Sequence, residues 1–156
     1  MKCLTVCQPY ASLIFYGGKF VENRRWYTPY RGLLAIHAGK SRRYFDDPED
    51  WRGEWIELRE NLCFLPEQCP FGCVLGTAKL VACLSLDWWK EAGPCCPPEA
   101  AAYDRLIKAA MASAYAEGPY CWILADPRPF EATVPARGGM GLWDWEPAGE
   151  SRGLFQ

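Results

Sequence analysis

The sequence predicts an α+β fold: a small barrel or strongly curved mixed sheet of about six strands, flanked by about three helices. Three observations carry this expectation. The apolar runs are short and rich in β-formers, they alternate with helical stretches of unequal length, and they lack the regular βαβ rhythm of a doubly wound sheet. The chain of 156 residues is half hydrophobic and carries eight Trp, eight Tyr and seven Phe. A chain of about 150 residues can bury roughly two-thirds of its unfolded surface, so the core needs no disulfide or metal staple. Residues 1–147 read as one domain and 148–156 as a polar tail.

Leu4-Thr5-Val6 reads as a first strand. Pro9 suits the first turn of a helix, where its missing N–H is not needed. Tyr10, Leu13 and Ile14 give that helix an apolar stripe, and Gly17-Gly18 ends it. Phe20 to Trp26 reads as a second strand, Thr28 to Gly32 as a turn, and Leu33 to His37 as a third strand. Asp47-Pro48-Glu49-Asp50 opens a helix bearing Trp51, Trp55, Leu58 and Leu62 at helical spacing, and Pro66 and Pro70 mark the loop after it. Cys73 to Leu86 is one long strand or a bent pair, with Gly76 at a bulge or a close approach. Pro97-Pro98-Glu99 opens a helix running to about Ala116, in which Asp104 and Lys108 pair at i,i+4. Gly118 and Pro119 stop it. Tyr120 to Ala125 is a strand, Pro127 and Pro129 make an irregular link, and Leu142 to Glu146 is the last strand, entered through Arg137-Gly138-Gly139-Met140-Gly141.

The net charge of −2 hides an asymmetry. Residues 1–45 hold eight basic groups (Lys2, Lys19, Arg24, Arg25, Arg31, Lys40, Arg42, Arg43) against Glu22 alone, a sum of +7, which leaves −9 for the other 111 residues. This predicts one electropositive face on an acidic body. The apolar run Cys3–Cys7 is too short for a signal-peptide core, and no stretch reaches the 18 or so apolar residues of a membrane span. The expected location is the cytoplasm, or the nucleus in a eukaryote, with no membrane partner and a monomeric state.

Nine cysteines without a signal peptide read as reduced thiols. Cys63, Cys69 and Cys73 are the nearest thing to a zinc set, but the chain has one histidine, and adjacent Cys95 and Cys96 make a poor tetrahedral corner. Buried cysteine acting as a small hydrophobe is the preferred reading. No metal is expected, and no cofactor either, since the sequence shows no dinucleotide- or phosphate-binding glycine loop.

The run Gln8-Pro9-Tyr10-Ala11-Ser12-Leu13-Ile14 leads into Gly17-Gly18-Lys19-Phe20-Val21-Glu22-Asn23-Arg24, which fits G-x-K-x-x-E-x-R. Trp26-Tyr27-Thr28-Pro29-Tyr30-Arg31-Gly32, the strand Leu34–Ala38, and Gly138-Gly139-Met140-Gly141-Leu142-Trp143 follow in order. Taken together these segments resemble the ASCH domain family. The resemblance implies a PUA-like barrel that binds RNA or DNA, in a family linked to transcription coactivators and RNA metabolism. It also admits two alternatives: a small amidohydrolase acting on an acylated cytidine nucleoside or a ribonuclease, and a protein-interaction module of a transcription complex. The hydrolytic relatives carry a hydroxyl residue three positions after the lysine, where this chain has Glu22.

Alternation places Phe20, Glu22 and Arg24 on one face of their strand, so Glu22 can orient the planar donor fork of Arg24 toward a phosphate or base edge. A structural ion pair is the competing reading. Lys19 stands at the rim of the expected cleft, to neutralise phosphate or, in the hydrolase reading alone, to act as base with Glu22 shuttling protons. Trp26 and Tyr27 among Arg24, Arg25 and Arg31 form the aromatic–cationic mixture that a single strand needs. His37 is expected as a satisfied core-edge imidazole or a donor to ligand. Lys40, Arg137, Gly138 and Trp143 complete the expected ligand-binding set, with Pro9 of the opening motif; the glycines let a ligand approach the backbone, and ordinary turn chemistry is the alternative.

Overall fold

The computed structural model describes residues 1–46 and 68–147. The helix expected from Asp47 through Leu62, with Trp51 and Trp55, lies outside the described residues, as do Cys63, Pro66 and the tail 148–156. The elements run β1 (Lys2–Val6), α1 (Tyr10–Tyr16), β2 (Val21–Arg24), β3 (Gly32–Ala38), a single turn α2 (Arg43–Asp46), β4 (Cys73–Ser85), α3 (Leu86–Ala92), a 3-10 helix (Pro98–Tyr103), α4 (Asp104–Met111), β5 (Tyr120–Pro135) and β6 (Leu142–Asp144). The strands form one mixed sheet in the order β2-β5-β4-β3-β1-β6. Among the described residues, six strands with three helices of seven or eight residues give the α+β class expected, consistent with a PUA-like barrel. Among the described residues no helix is long and apolar enough to cross a membrane.

The contacts divide the chain into two compact units. The first takes the described residues of Met1–Gly18, Leu34–Thr77 and Arg128–Gln156, the second Lys19–Leu33 and Ala78–Pro127. In the first, β1 pairs in parallel with β3 (Cys3 opposite Ala35, Thr5 opposite His37) and antiparallel with β6 (Cys3 opposite Trp143). Cys3, Ala35, Val74 and Trp145 form a core against which Phe130, Val134, Ala136 and Trp143 pack. Met1 is tied to the residue after β6, as its ammonium donates to Trp145 O at 2.7 Å.

Helix α1 shows why Gln8 precedes Pro9. The Gln8 side-chain oxygen accepts from Ser12 N at 3.1 Å, capping an orphan donor of the first turn, while its amide donates to Pro70 O at 2.8 Å. Gly17 ends the helix.

In the second unit, β2 pairs antiparallel with β5 (Glu22 opposite Trp122, Arg24 opposite Tyr120). Its core includes Val21, Leu84, Ile107, Cys121 and Ile123. The buried Cys83 and Cys121 thiols are pushed up by burial, as small hydrophobes should be.

Four expectations need revision. Strand β2 is shorter than expected, ending at Arg24. The helix expected from Pro97 to Ala116 is a 3-10 turn followed by α4, broken by a non-helical Ala100 and finished at Met111, although the Asp104–Lys108 pair forms at 2.9 Å. Helix α3 was not anticipated; its Ser85 cap accepts from Trp88 N, with Asp87 in the first turn. Finally, Pro127 and Pro129 lie inside one long strand rather than a link. The β2–β5 ladder ends at Ile123, so these prolines sit beyond it, where a missing N–H breaks no bond to β2.

Candidate functional site

The expected site residues fall into two groups, one in each unit. Gly18, with φ +65°, ends the first segment of the first unit, and Lys19 opens the second unit. Lys19 is buried, 3% exposed, which corrects its expected place at a rim. Its ammonium donates to Val21 O at 2.6 Å and to the Glu22 carboxylate at 2.5 Å. The other Glu22 oxygen receives the Arg24 guanidinium at 3.2 Å. One carboxylate is thus held between two cations, and the alternation that predicted the Glu22–Arg24 contact is borne out.

Beside this cluster lies an aromatic group. Buried Trp122 faces Glu22 across the ladder, donates from its indole to Trp26 O at 3.3 Å and meets the Trp26 ring edge to face at 4.7 Å between centroids. Tyr27 meets Tyr120 at 6.1 Å. Trp26 packs on the buried Trp122 ring as the core-capping reading expects, while Trp26 and Tyr27 stay 38% and 52% exposed. Arg25 is exposed. Arg31 is different: its Nη1 donates to Thr28 O and Tyr30 O at 2.9 and 2.7 Å, stitching the turn together.

In the first unit, His37, Gly138 and Trp143 meet around Thr5. His37 is buried, 1% exposed, with Nε2 3.1 Å from Ala136 O. A carbonyl only accepts, so Nε2 carries the proton and Nδ1 is left as an acceptor. That Nδ1 is buried and has no hydrogen-bond partner among the described residues. His37 is thus a core-edge imidazole, as expected, bonded through Nε2. Burial holds its pKa below the usual histidine value, and the Lys40 charge adds to this.

The glycines beside it are there for close packing. A Cβ on Gly138 would stand 2.6 Å from His37 Cε1, and one on Gly139 would stand 2.7 Å from Trp143 Cγ. Thr5 Oγ1 donates to Gly139 O at 3.0 Å and accepts from Trp143 Nε1 at 3.1 Å. Lys40 and Arg137 are exposed, and Pro9 is buried at the start of α1.

Sequence reasoning missed Asn23. Its amide donates to Tyr115 O at 2.8 Å, and its oxygen accepts from Glu117 N and Gly118 N at 3.1 and 3.0 Å. No local signal marks it, because its partners are more than 90 residues away. Among the described residues no three His, Cys, Asp or Glu side chains gather as a metal-binding group.

The family model described as the ASCH domain matches residues 4–134. The human protein activating signal cointegrator 1 is 31% identical over 141 residues, which is 90% of this chain and 22% of that protein. Its mouse counterpart is 30% identical over the same shares. The chain thus spans about a fifth of the length of these curated relatives. Among solved structures, a mutant ASCH protein from Zymomonas mobilis aligns with TM-score 0.48 and 18% identity, over 98% of this chain and 92% of that one.

Proposed function

The chain belongs to the ASCH domain family, and on that premise we propose that it is a nucleic-acid-binding domain that takes single-stranded RNA or DNA. The observation that carries this reading is the half-exposed pair Trp26 and Tyr27 next to an Arg24 whose guanidinium is held by Glu22. Successive bases need aromatic faces, and phosphates need cations at fixed spacing. A guanidinium anchored on one side through a partly buried carboxylate keeps its direction when ligand arrives, which lowers the ordering cost of binding. Arg25 adds charge, and the +7 sum of residues 1–45 supplies long-range attraction.

The amidohydrolase reading asks Lys19 to act as base or nucleophile. Its ammonium already donates to Val21 O and Glu22, so that role requires the cluster to open first. The geometry favours Lys19 as the group that positions Glu22.

Fluorescence anisotropy with labelled single-stranded RNA and DNA tests the proposal. Affinity should fall steeply between about 50 and 200 mM salt. Trp26→Ala should cost about 1–3 kcal/mol of binding through lost stacking, and Arg24→Gln should also weaken it and flatten the salt dependence. Absence of binding to any RNA or DNA pool at low salt would reject the reading.

A further inference from the structure

The loop from Arg137 to Gly141 carries a side chain that the stability of the fold does not explain. Met140 is 96% exposed, far beyond the next large hydrophobic among the described residues, Tyr27 at 52%. Yet the loop that carries it is fixed. Gly139 O is held by Thr5 Oγ1, Gly138 lies on the His37 ring and Gly139 on the Trp143 ring, each too closely for a Cβ. Gly141 closes the loop with φ +63°. An anchored backbone therefore presents one long apolar side chain to solvent.

Its surroundings are cationic. Arg137 is exposed in the same loop. The Lys40 stem lies over Gly72, near enough to crowd a Cβ there. Gly72 O in turn accepts from Ala136 N at 3.0 Å, which brings exposed Lys40 to the base of the same loop. An apolar tip with two cations at its root suits a ligand that is flat and apolar on its face and anionic along its chain. The thioether is polarisable and adaptable, and it packs well against aromatic rings; nucleic-acid-binding proteins use methionine wedges in this way.

We infer that Met140 is a nucleobase-contacting residue, its thioether lying against the face of a base whose flanking phosphates meet Arg137 and Lys40. The inference rests on the nucleic-acid reading above and adds to it a contact that the family motif does not single out.

The chain has three methionines, so protein labelled with 13C at the methionine methyls gives three signals. Titration with short oligouridylate and oligodeoxythymidylate should shift the Met140 signal upfield through the base ring current. The signal of buried Met111 should stay in place. Met140→Ala should weaken binding about tenfold with an unchanged melting temperature, and Met140→Leu should restore most of the loss. If the wild type binds and Trp26→Ala weakens it, an unmoved Met140 signal or a fully active Met140→Ala overturns this inference alone. If the wild type binds neither oligonucleotide, the functional reading fails and the inference with it.

Discussion

Lys19, Glu22 and Arg24 bring three charges into a region where only Arg24 keeps appreciable exposure. Removing an ion from water costs several kcal/mol, and the attraction between partners repays this only when hydrogen bonds complete the geometry. Here they do, since the ammonium also donates to Val21 O. Breaking such a set is therefore more costly than replacing it. Lys19→Met should destabilise the protein, but by less than the cost of a fully unpaired buried charge, about 3–5 kcal/mol, because Arg24 still holds Glu22. Lys19→Met combined with Glu22→Gln should cost less than the sum of the two single changes, because no carboxylate oxygen is left without its cation. Urea unfolding of the three variants measures this. Additive costs would mean that the two side chains do not act as a pair. The Glu22–Arg24 half of the set was legible in the sequence, because i and i+2 share a face of a strand. The Lys19 half was not, because Lys19 follows Gly18, whose backbone torsion the sequence leaves open.

Secondary structure was legible where local chemistry decides it. Gln8-Pro9 and Gly17 bound α1, and Gly76 marks a close approach, its missing Cβ making room for Arg128 O and for Pro129 Cα and the Phe15 ring at 2.8 Å. It was not legible where a neighbouring strand decides: Pro127 and Pro129 are turn signals in isolation, and they are tolerated in β5 because the β2 ladder ends before them. Asn23 belongs to this second class. Held on β2, it ties that strand to the turn before β5 through one donated and two accepted backbone bonds. Asn23→Ala leaves those backbone groups without it, at about 1–3 kcal/mol for each group left buried and unsatisfied. A loss of about 2–4 kcal/mol is expected, with faster hydrogen exchange at the Glu117 and Gly118 amides. Unchanged exchange there would show that the turn holds itself.

At the scale of the whole molecule, a chain of net charge −2 carries a net +7 in its first 45 residues, and its one histidine sits buried against the loop that presents Met140. The single histidine makes the response to mild acid unusually readable, since the carboxylates mostly titrate lower. Burial holds the folded pKa of His37 below its unfolded value near 6.5, and nearby Lys40 acts in the same direction. In this range the unfolded chain takes up the proton first, so acid favours unfolding. The stability tied to His37 is therefore complete above about pH 6.5 and declines as pH falls through the folded pKa, by at most about 1.4 kcal/mol per pH unit. Protonation at Nδ1 would place a charge on an atom that has no hydrogen-bond partner among the described residues, close to Gly138. Urea unfolding at about pH 7.5 and pH 5.5 should show this loss in the wild type. His37→Gln starts less stable, because it disturbs the bond to Ala136 O, but it should lose less on acidification, since the replacement carries no titrating group. The comparison of slopes separates proton uptake from packing: equal slopes in the two proteins would show that His37 does not carry the acid response, and would remove the charge argument for an open acceptor beneath the loop.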